Sequence, residues 1–252
     1  MQTTKGVNWI DPNGIERNLD DELGTINFYL AHLRSLDSIV WGTLDAIAQQ
    51  GMAAEMFRVG DEKRITLTTG EVVTAVILGF EHDDLTAGGK AKITFGMRDL
   101  MATNRQMNPT STNVGGWDAS AMRNTHLPLI LSQLPADLQA IIKPVDKLTS
   151  SGGASGSTMV TSSDSLFLMS GVEVNNTASV LAGEGTTYPF YVGAVNATRV
   201  KRMSDGAGAA AWWWSRSPTA DNASNFRAVN SNGVVSNFIA VFADGVSFCF
   251  CI

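Results

Sequence analysis

The part of the chain that most constrains its fold is the stretch WWWSRSPTADNASNFRAVNSNGVVSNFIAVFADGVSFCFCI, residues 212–252. Three short runs in it, FRAV, VVSNFIAVF and VSFCFCI, alternate well enough to pair as strands, and proline, asparagine and glycine mark turns between them. Successive side chains of a strand point to opposite faces. One or two rings of Trp212–Trp214 are therefore expected in the core and the remainder near the surface. The tail is predicted to be a tightly wound β-ribbon that presents polar and aromatic side chains.

A helical pattern precedes this region at residues 19–50. Apolar residues recur there at spacings of three and four from Leu23 to Ile47, and Gly51 follows as a stop. Two interpretations stay open: an amphipathic helix packed on its own domain, or an oligomerising helix that binds copies of itself. Asp37 stands where a strict heptad needs an apolar residue.

From Met56 onward the period changes to that of strands. The pattern predicts strands around 65–67 and 72–80 joined by a turn at Thr69-Gly70, a strand or short helix at 93–101, a helix at 120–134, then a short helix and a strand in LPADLQAIIKPVDKLT. SLFLMS and YPFYVG are predicted strands, and SSGGASGS (150–157) is predicted to be a loop or linker. The fold class is therefore α+β: an N-terminal helix, a mixed middle, and a β-rich, loop-rich C-terminal end.

The amino-acid composition of the chain argues against several classes of function. Charged residues make up 17% of the chain, its net charge is -6, and it has no lysine or arginine cluster, which argues against binding to nucleic acid. No apolar run approaches the ~18 residues of a membrane span. The opening MQTTKGVNWIDPNG lacks the apolar region of a secretory signal peptide.

Motifs for catalysis are not found. The sequence has no P-loop, no nucleophile elbow, no zinc-protease helix and no dinucleotide fingerprint. The densest group of possible metal ligands is EHDD, residues 81–84, but neighbouring side chains on an extended chain point apart, so an exposed acidic turn is expected there. Cys249 and Cys251 are expected to be two small buried side chains on one strand face. No catalytic residue, metal site or cofactor is predicted.

The tail also resembles a known family. Its pattern W-W-x-x-R-S-P, with asparagine- and serine-rich short strands and the ending G-V-x-x-x-F-C-I, resembles the C-terminal module of the DUF6273 family. The residues that carry this likeness are Trp212, Trp213, Arg216, Ser217, Pro218, Val229, Gly233, Gly245, Val246, Phe250, Cys251 and Ile252. Upstream segments such as FRVGDEKRITL, ILGFEHDD and GGWDASAMRNTHL extend the resemblance to about residues 40–252.

The resemblance implies a C-type-lectin-like fold, similar to that of formylglycine-generating enzymes. Relatives include target proteins of diversity-generating retroelements, whose ligand-binding face is varied by mutagenic reverse transcription at adenines; the asparagine and serine codons of this tail would suit that mechanism. The chain departs from the family at its end, where Ser247 and Phe248 replace Arg-Pro and Cys249 replaces Ala, and at Trp214, where relatives tend to have Leu. The terminal C-x-C does not reproduce the enzyme's cysteine pair.

Pattern and resemblance together divide the chain into a helical attachment or oligomerisation segment, 1–50, and a C-type-lectin-like domain, 51–252, with a ligand-display ribbon at 212–252. The first tryptophans and Arg216-Ser217-Pro218 would anchor the ribbon to the fold. The predicted ligand-binding residues are Trp214, Ser215, Thr219, Asp221, Asn222, Asn225, Phe226, Arg227, Asn230, Asn232, Asn237, Phe238 and Phe242. The competing interpretation is that these are ordinary turn residues without a ligand.

The function predicted on this basis is that of a bacteriophage virion protein, at a tail-fibre tip or on the head. It would assemble in the host cytoplasm and act outside the cell, binding a host cell-surface ligand, saccharide or protein. Its N-terminal segment would contact other virion proteins and form a homo-oligomer, with a trimer favoured. The alternative is a structural or decoration protein of the virion without an external ligand. An enzyme of the formylglycine-generating or a carbohydrate-active type ranks third.

Overall fold

The computed structural model describes residues 8–18, 35–153, 158–175 and 183–252. Its α-helices are α1 (Trp41–Gln49), α2 (Ala53–Met56), α3 (Gly116–Ala119), α4 (Leu127–Gln133), α5 (Ala136–Gln139), α6 (Gly171–Asn175) and α7 (Asn196–Arg199). Its strands are β1 (Asn8–Ile10), β2 (Glu16–Asn18), β3 (Glu62–Thr66), β4 (Val72–Phe80), β5 (Ile93–Met97), β6 (Arg105–Gln106), β7 (Val145–Ser150), β8 (Met159–Asp164), β9 (Phe167–Leu168), β10 (Lys201–Arg202), β11 (Ala210–Ala211), β12 (Trp213–Pro218), β13 (Asn225–Val229), β14 (Val235–Ile239), β15 (Ala243–Asp244) and β16 (Phe248–Cys251). The protein is α+β, as predicted.

The largest sheet has the strand order β3-β4-β5-β16-β9, and its pairings are antiparallel. The run VVTAVILGF of β4 is buried along most of its length, which suits a central strand covered on both faces. Phe95 of β5 and Phe250 of β16 stack with ring centroids 5.1 Å apart. Trp41 packs edge-on against both rings, at 5.8 and 5.9 Å. These three aromatic rings join α1 to the centre of the sheet.

The tail is divided between two sheets. The strands β12-β13-β14 form a three-stranded antiparallel sheet, so the predicted pairing of FRAV with VVSNF is confirmed. The last run, VSFCFCI, does not join that ribbon: its strand β16 lies between β5 and β9 in the large sheet. The prediction that the whole tail forms one ribbon was therefore wrong. All four residues of β16 are buried, and a strand without a polar face is stable only in the middle of a sheet.

The helix predicted over 19–50 is present in part. Residues 19–34 lie outside the described ranges, and residues 41–49 form α1, with Leu44 and Ala48 buried in the domain core. Residues 35–40 are not α-helical, which corrects the prediction there: Leu36–Ser38 form a 3-10 turn and Val40 is extended. The Lys63 ammonium of β3 donates to the carbonyls of residues 36, 37 and 39. This lysine takes acceptors that a continuing helix would use.

The predicted strand in YPFYVG was also wrong. Pro189–Tyr191 form a 3-10 helix, because proline has no N–H for a ladder and its fixed φ suits the first helical position. The other predicted elements of the middle are confirmed, and the helix at 120–134 contains a π-helical turn at Met122–His126 before α4. In the predicted loop 150–157, Ser150 ends β7 and residues 154–157 lie outside the description. Within the described residues, no helix is both long and apolar enough to span a bilayer.

Candidate ligand-binding face

The outer surface of the pair β13–β14 carries three of the polar side chains of the tail. Arg227 lies opposite Asn237 in the register of the pair, and Asn225 lies on the same face two residues away. The Arg227 guanidinium donates to Oδ1 of Asn237. Asp221 and Asn222 extend this surface from the exposed β12–β13 loop. We call these five residues the display face.

The opposite side of the same strands is aromatic. Phe238 lies 5.8 Å from the Trp214 ring, 5.2 Å from Trp212 and 5.3 Å from Phe242, measured between ring centroids. Trp214 is fully buried and its indole N–H donates to the Arg105 carbonyl, whereas Phe242 is 50% exposed. The cluster thus runs from the core to the surface. Because side chains alternate between the two faces of a strand, this cluster packs on the face opposite to the display face. Its contacts hold the sheet in place on that side.

The loop that carries Asp221 and Asn222 is held from below by Asn113. This asparagine is fully buried, and its amide nitrogen donates to the carbonyls of Thr219, Asn222 and Asn225, at 3.3, 2.7 and 2.7 Å. Its Oδ1 accepts the N–H of Gly153 at 2.9 Å. The loop is therefore fixed through main-chain atoms, and these contacts do not depend on which side chains the loop exposes.

The β13–β14 turn is anchored in the same way. Arg199 is buried and donates through Nε to the carbonyl of Gly233, 2.9 Å away. Gly233 has φ +78, and a Cβ there would lie 1.8 Å from the Asn196 carbonyl oxygen, so only glycine fits. Oδ1 of Asn230 accepts the N–H groups of residues 232 and 234. This asparagine therefore shapes the turn with its own side chain.

The structure places the thirteen predicted ligand-binding residues at three depths. Buried are Trp214, Ser215, Thr219 and Phe226; half-buried are Asn225, Arg227, Asn230 and Phe238; exposed are Asp221, Asn222, Asn232, Asn237 and Phe242. The four buried side chains cannot touch a ligand at the surface of this structure, so they support the face from inside. A role in binding stays a prediction for the others.

Sequence reasoning missed both anchors. Asn113 lies in TSTNVGGW and Arg199 in VNATRV, where neither a periodic pattern nor a motif distinguishes them. The only local signal is the Gly115-Gly116 pair after Asn113, which indicates a close backbone approach. Gly116 has φ +60, and a Cβ there would meet the Ser150 carbonyl oxygen at 1.9 Å.

A second polar cluster, the buried ionic network, lies beneath β12. Lys147 of β7 donates to Asp83, to Glu173 at 3.2 Å and to the Tyr188 hydroxyl at 3.0 Å. Arg216 forms a bidentate pair with Glu173, at 2.5 and 3.0 Å. The expectation of an exposed acidic turn at EHDD was thus wrong for Asp83, which is buried against a lysine distant in sequence.

Opposite charges in this network keep its members ionised. Burial alone would raise the pKa of Asp83, but Lys147 and hydrogen bonds from Lys147 and Thr94 lower it to about 2. Burial acts in the same direction on Glu173, and the charges of Arg216 and Lys147 outweigh it, so that its pKa is lowered. Two cations therefore face two anions without excess charge.

The network ties the tail to the rest of the domain. Arg216 also donates to the Thr149 hydroxyl and to the carbonyls of Leu168 and Glu184. Ser217 donates to the carboxylate of Glu184, whose pKa is raised by burial. A cavity of about 270 Å³ borders the network. The Lys147 ammonium and the Arg216 guanidinium donate their hydrogen bonds to partners inside the protein. These contacts are therefore those of a structural anchor.

The cysteines are buried as predicted. Cys249 and Cys251 are free thiols on β16, and burial raises the pKa of each well above the usual value. Among the residues that the structure describes, no three His, Cys, Asp or Glu side chains are grouped so as to hold a metal ion.

Residues 92–252 match the model of a family described as a domain of unknown function, DUF6273. The chain belongs to the DUF6273 family. The matched part of this DUF6273 protein includes the display face, Asn113, Arg199 and three members of the ionic network, Lys147, Glu173 and Arg216. Asp83 precedes it. No curated protein and no solved structure matches the chain.

Proposed function

We propose that this DUF6273 protein is a binding protein that recognises a cell-surface ligand through the display face. One observation carries the proposal: the loop and turn around that face are fixed through their carbonyl groups, by Asn113 and Arg199. Because these contacts use main-chain groups, the exposed side chain of Asp221 is available to a ligand, whereas Asn222 also helps to hold the loop, since its Oδ1 accepts the N–H of Ser224 at 2.7 Å. Binding surfaces are commonly built in this way, with loops on a rigid scaffold.

The chemistry of the face favours a polar ligand with little charge. Three of its five side chains are carboxamides, which donate and accept hydrogen bonds. The charges of its other two residues, Asp221 and Arg227, are opposite and sum to zero. Among the two predicted ligand classes, a surface saccharide suits this set best because its hydroxyl groups also donate and accept.

A pair of matched variants tests this role. Asp221→Lys with Asn222→Lys changes an exposed acid and an exposed amide on the display face, and Asp137→Lys with Gln139→Lys makes the same changes on exposed residues of α5. Binding is measured on a glycan array and on whole bacterial cells. The display-face variant is expected to lose binding at least tenfold, about 1.4 kcal/mol, while the α5 variant keeps it. Equal binding by both variants would refute the assignment of the face.

We further propose that the protein acts on a bacteriophage particle and has a C-type-lectin-like fold, both in line with the resemblance of its tail. Deep sequencing of the 3′ end of the gene and of its genomic neighbourhood tests whether the face is diversified. Substitutions confined to adenine-templated codons between about Trp214 and Val246, beside a reverse transcriptase gene, would support it. An invariant tail without such a neighbour, buried in the assembled particle, would favour the structural or decoration protein.

A further inference from the structure

The strand β14 forms an open edge next to the display face. Among the residues that the structure describes, it is the last strand in the order β12-β13-β14 and is hydrogen-bonded on one side only. Bonds from Asn230 N–H to the Val234 carbonyl and from Ala240 N–H to the Ser224 carbonyl, each 2.9 Å, bracket its pairing with β13. Because bonding groups alternate along an antiparallel strand, those of residues 235, 237 and 239 point away from β13.

Within the described ranges, these outward groups have almost no partners. In the described part of the chain, the N–H groups of Val235, Asn237 and Ile239 donate to no acceptor, and of their carbonyls only that of Ile239 accepts, from Phe242 N–H at 3.1 Å. Ile239 is 37% exposed and Asn237 is also exposed. The edge is thus a row of donors and acceptors at a spacing that a further strand would match.

The side chains of β14 do not protect this edge. Its sequence, VSNFI, has no charge and no proline, the devices that usually block the pairing of an exposed edge. The edge strand β3 of the large sheet shows the contrast, since its sequence EKRIT carries three charges in a row. An uncharged edge that remains open is expected to pair with another strand.

We propose that β14 pairs antiparallel with β14 of a second copy of this chain, centred on Asn237. In that register Asn237 faces its own counterpart, and Val235 faces Ile239 of the second copy. An amide then meets an amide and an aliphatic side chain meets an aliphatic one, without like charges. Each of the three facing pairs exchanges two backbone hydrogen bonds, and the Ile239 carbonyl accepts a second hydrogen bond beside the one from Phe242 N–H. The strand is self-complementary, which a twofold symmetric contact requires.

The pairing would join two display faces into one. The strand order becomes β13-β14-β14-β13, and Arg227 and Asn237 of both copies lie on the same side of the continuous sheet. A ligand array on a cell surface would meet two sites at once, which increases avidity. The dimer is inferred from the edge alone, so it does not depend on the proposed ligand binding.

Sedimentation velocity over a concentration series up to about 100 µM tests the dimer, since a short edge contact is expected to be weak. Asn237→Pro removes the central outward N–H and leaves the ladder to β13 intact, so its weight-average mass should stay that of a monomer at every concentration while that of the wild type rises. Asn237→Ala keeps the N–H and should associate like the wild type. A wild type that does not associate, or that has the same mass as Asn237→Pro, overturns the proposal.

The register is tested by charge. Val235→Lys with Ile239→Lys places lysines opposite each other in the proposed pairing and should abolish association. Val235→Lys with Ile239→Glu places opposite charges together and should restore it. Near-ultraviolet circular dichroism of both variants checks that the domain stays folded. Equal association of the two folded variants would contradict the register.

Discussion

Replacing Asn113 with alanine should loosen the display loop more than any change to the exposed side chains of the loop. The substitution removes the donor shared by the carbonyls of Thr219, Asn222 and Asn225 and the acceptor of Gly153 N–H. The Thr219 hydroxyl still donates to two of these carbonyls, at 2.7 and 3.1 Å. The carbonyls of Asn222 and Asn225 therefore keep one hydrogen bond each, whereas the carbonyl of Thr219 and the N–H of Gly153 lose theirs.

The size of the effect follows from these contacts. A net hydrogen bond contributes about 1 kcal/mol, and a buried group left without a partner costs about 1–3 kcal/mol. Two strong bonds to the loop and one to Gly153 are lost, and the third loop bond is long. We expect Asn113→Ala to lower the free energy of unfolding by about 2–3 kcal/mol.

Urea unfolding followed by tryptophan fluorescence measures this change, and hydrogen exchange of residues 219–225 shows whether it is local. Asn124→Ala is the matched control: its amide also donates to two backbone carbonyls, those of Asp118 and Ser120, but the residue is exposed. That control should cost under about 1 kcal/mol because water replaces the lost partner. If Asn113→Ala costs no more than Asn124→Ala, the reasoning about the anchor is wrong.

Further predictions concern the ionic network and the turn. Glu173→Gln leaves two buried cations facing one anion, so urea unfolding should show a loss of about 3–5 kcal/mol; a loss below 1 kcal/mol would contradict the network's role. Asp83 has a pKa lowered from 3.8 to about 2, so its stabilisation is complete above pH ~4 and is lost as pH falls through that range; the melting temperature of Asp83→Asn should therefore fall less than that of the wild type between pH 4 and 2. Gly233→Ala should destabilise more than Gly70→Ala, because both have positive φ but only the first Cβ meets a backbone carbonyl; equal melting temperatures of the two variants would argue against the clash.

The secondary structure of the middle could be read from sequence because it depends on local patterns. Alternation and a Thr69-Gly70 turn predicted β3 and β4, and helical spacing predicted α4. The prediction that one or two of the three tryptophan rings enter the core is confirmed, since Trp213 and Trp214 are buried, but the period of a strand did not predict which two. Local rules fail where a neighbour competes for the backbone, as Lys63 does before α1.

For the candidate face, the sequence indicated the polar residues of β13, β14 and their loops, but not their depth. Thr219 and Phe226 resemble surface positions in the sequence and are buried in the structure. Asn113 could not be found, because its role depends on three carbonyls more than a hundred residues away along the chain.

The sequence by itself determined that this is an α+β chain with a β-rich end, where several of its strands lie, and that its tail has the DUF6273 pattern. Only the tertiary structure decided that the last strand leaves the ribbon for the large sheet, and that Asp83 is buried against Lys147. The physical reason is the range of the interactions. Side-chain period is set by the residues next to each other, whereas strand partners and the burial of a charge are set by groups that only folding brings together.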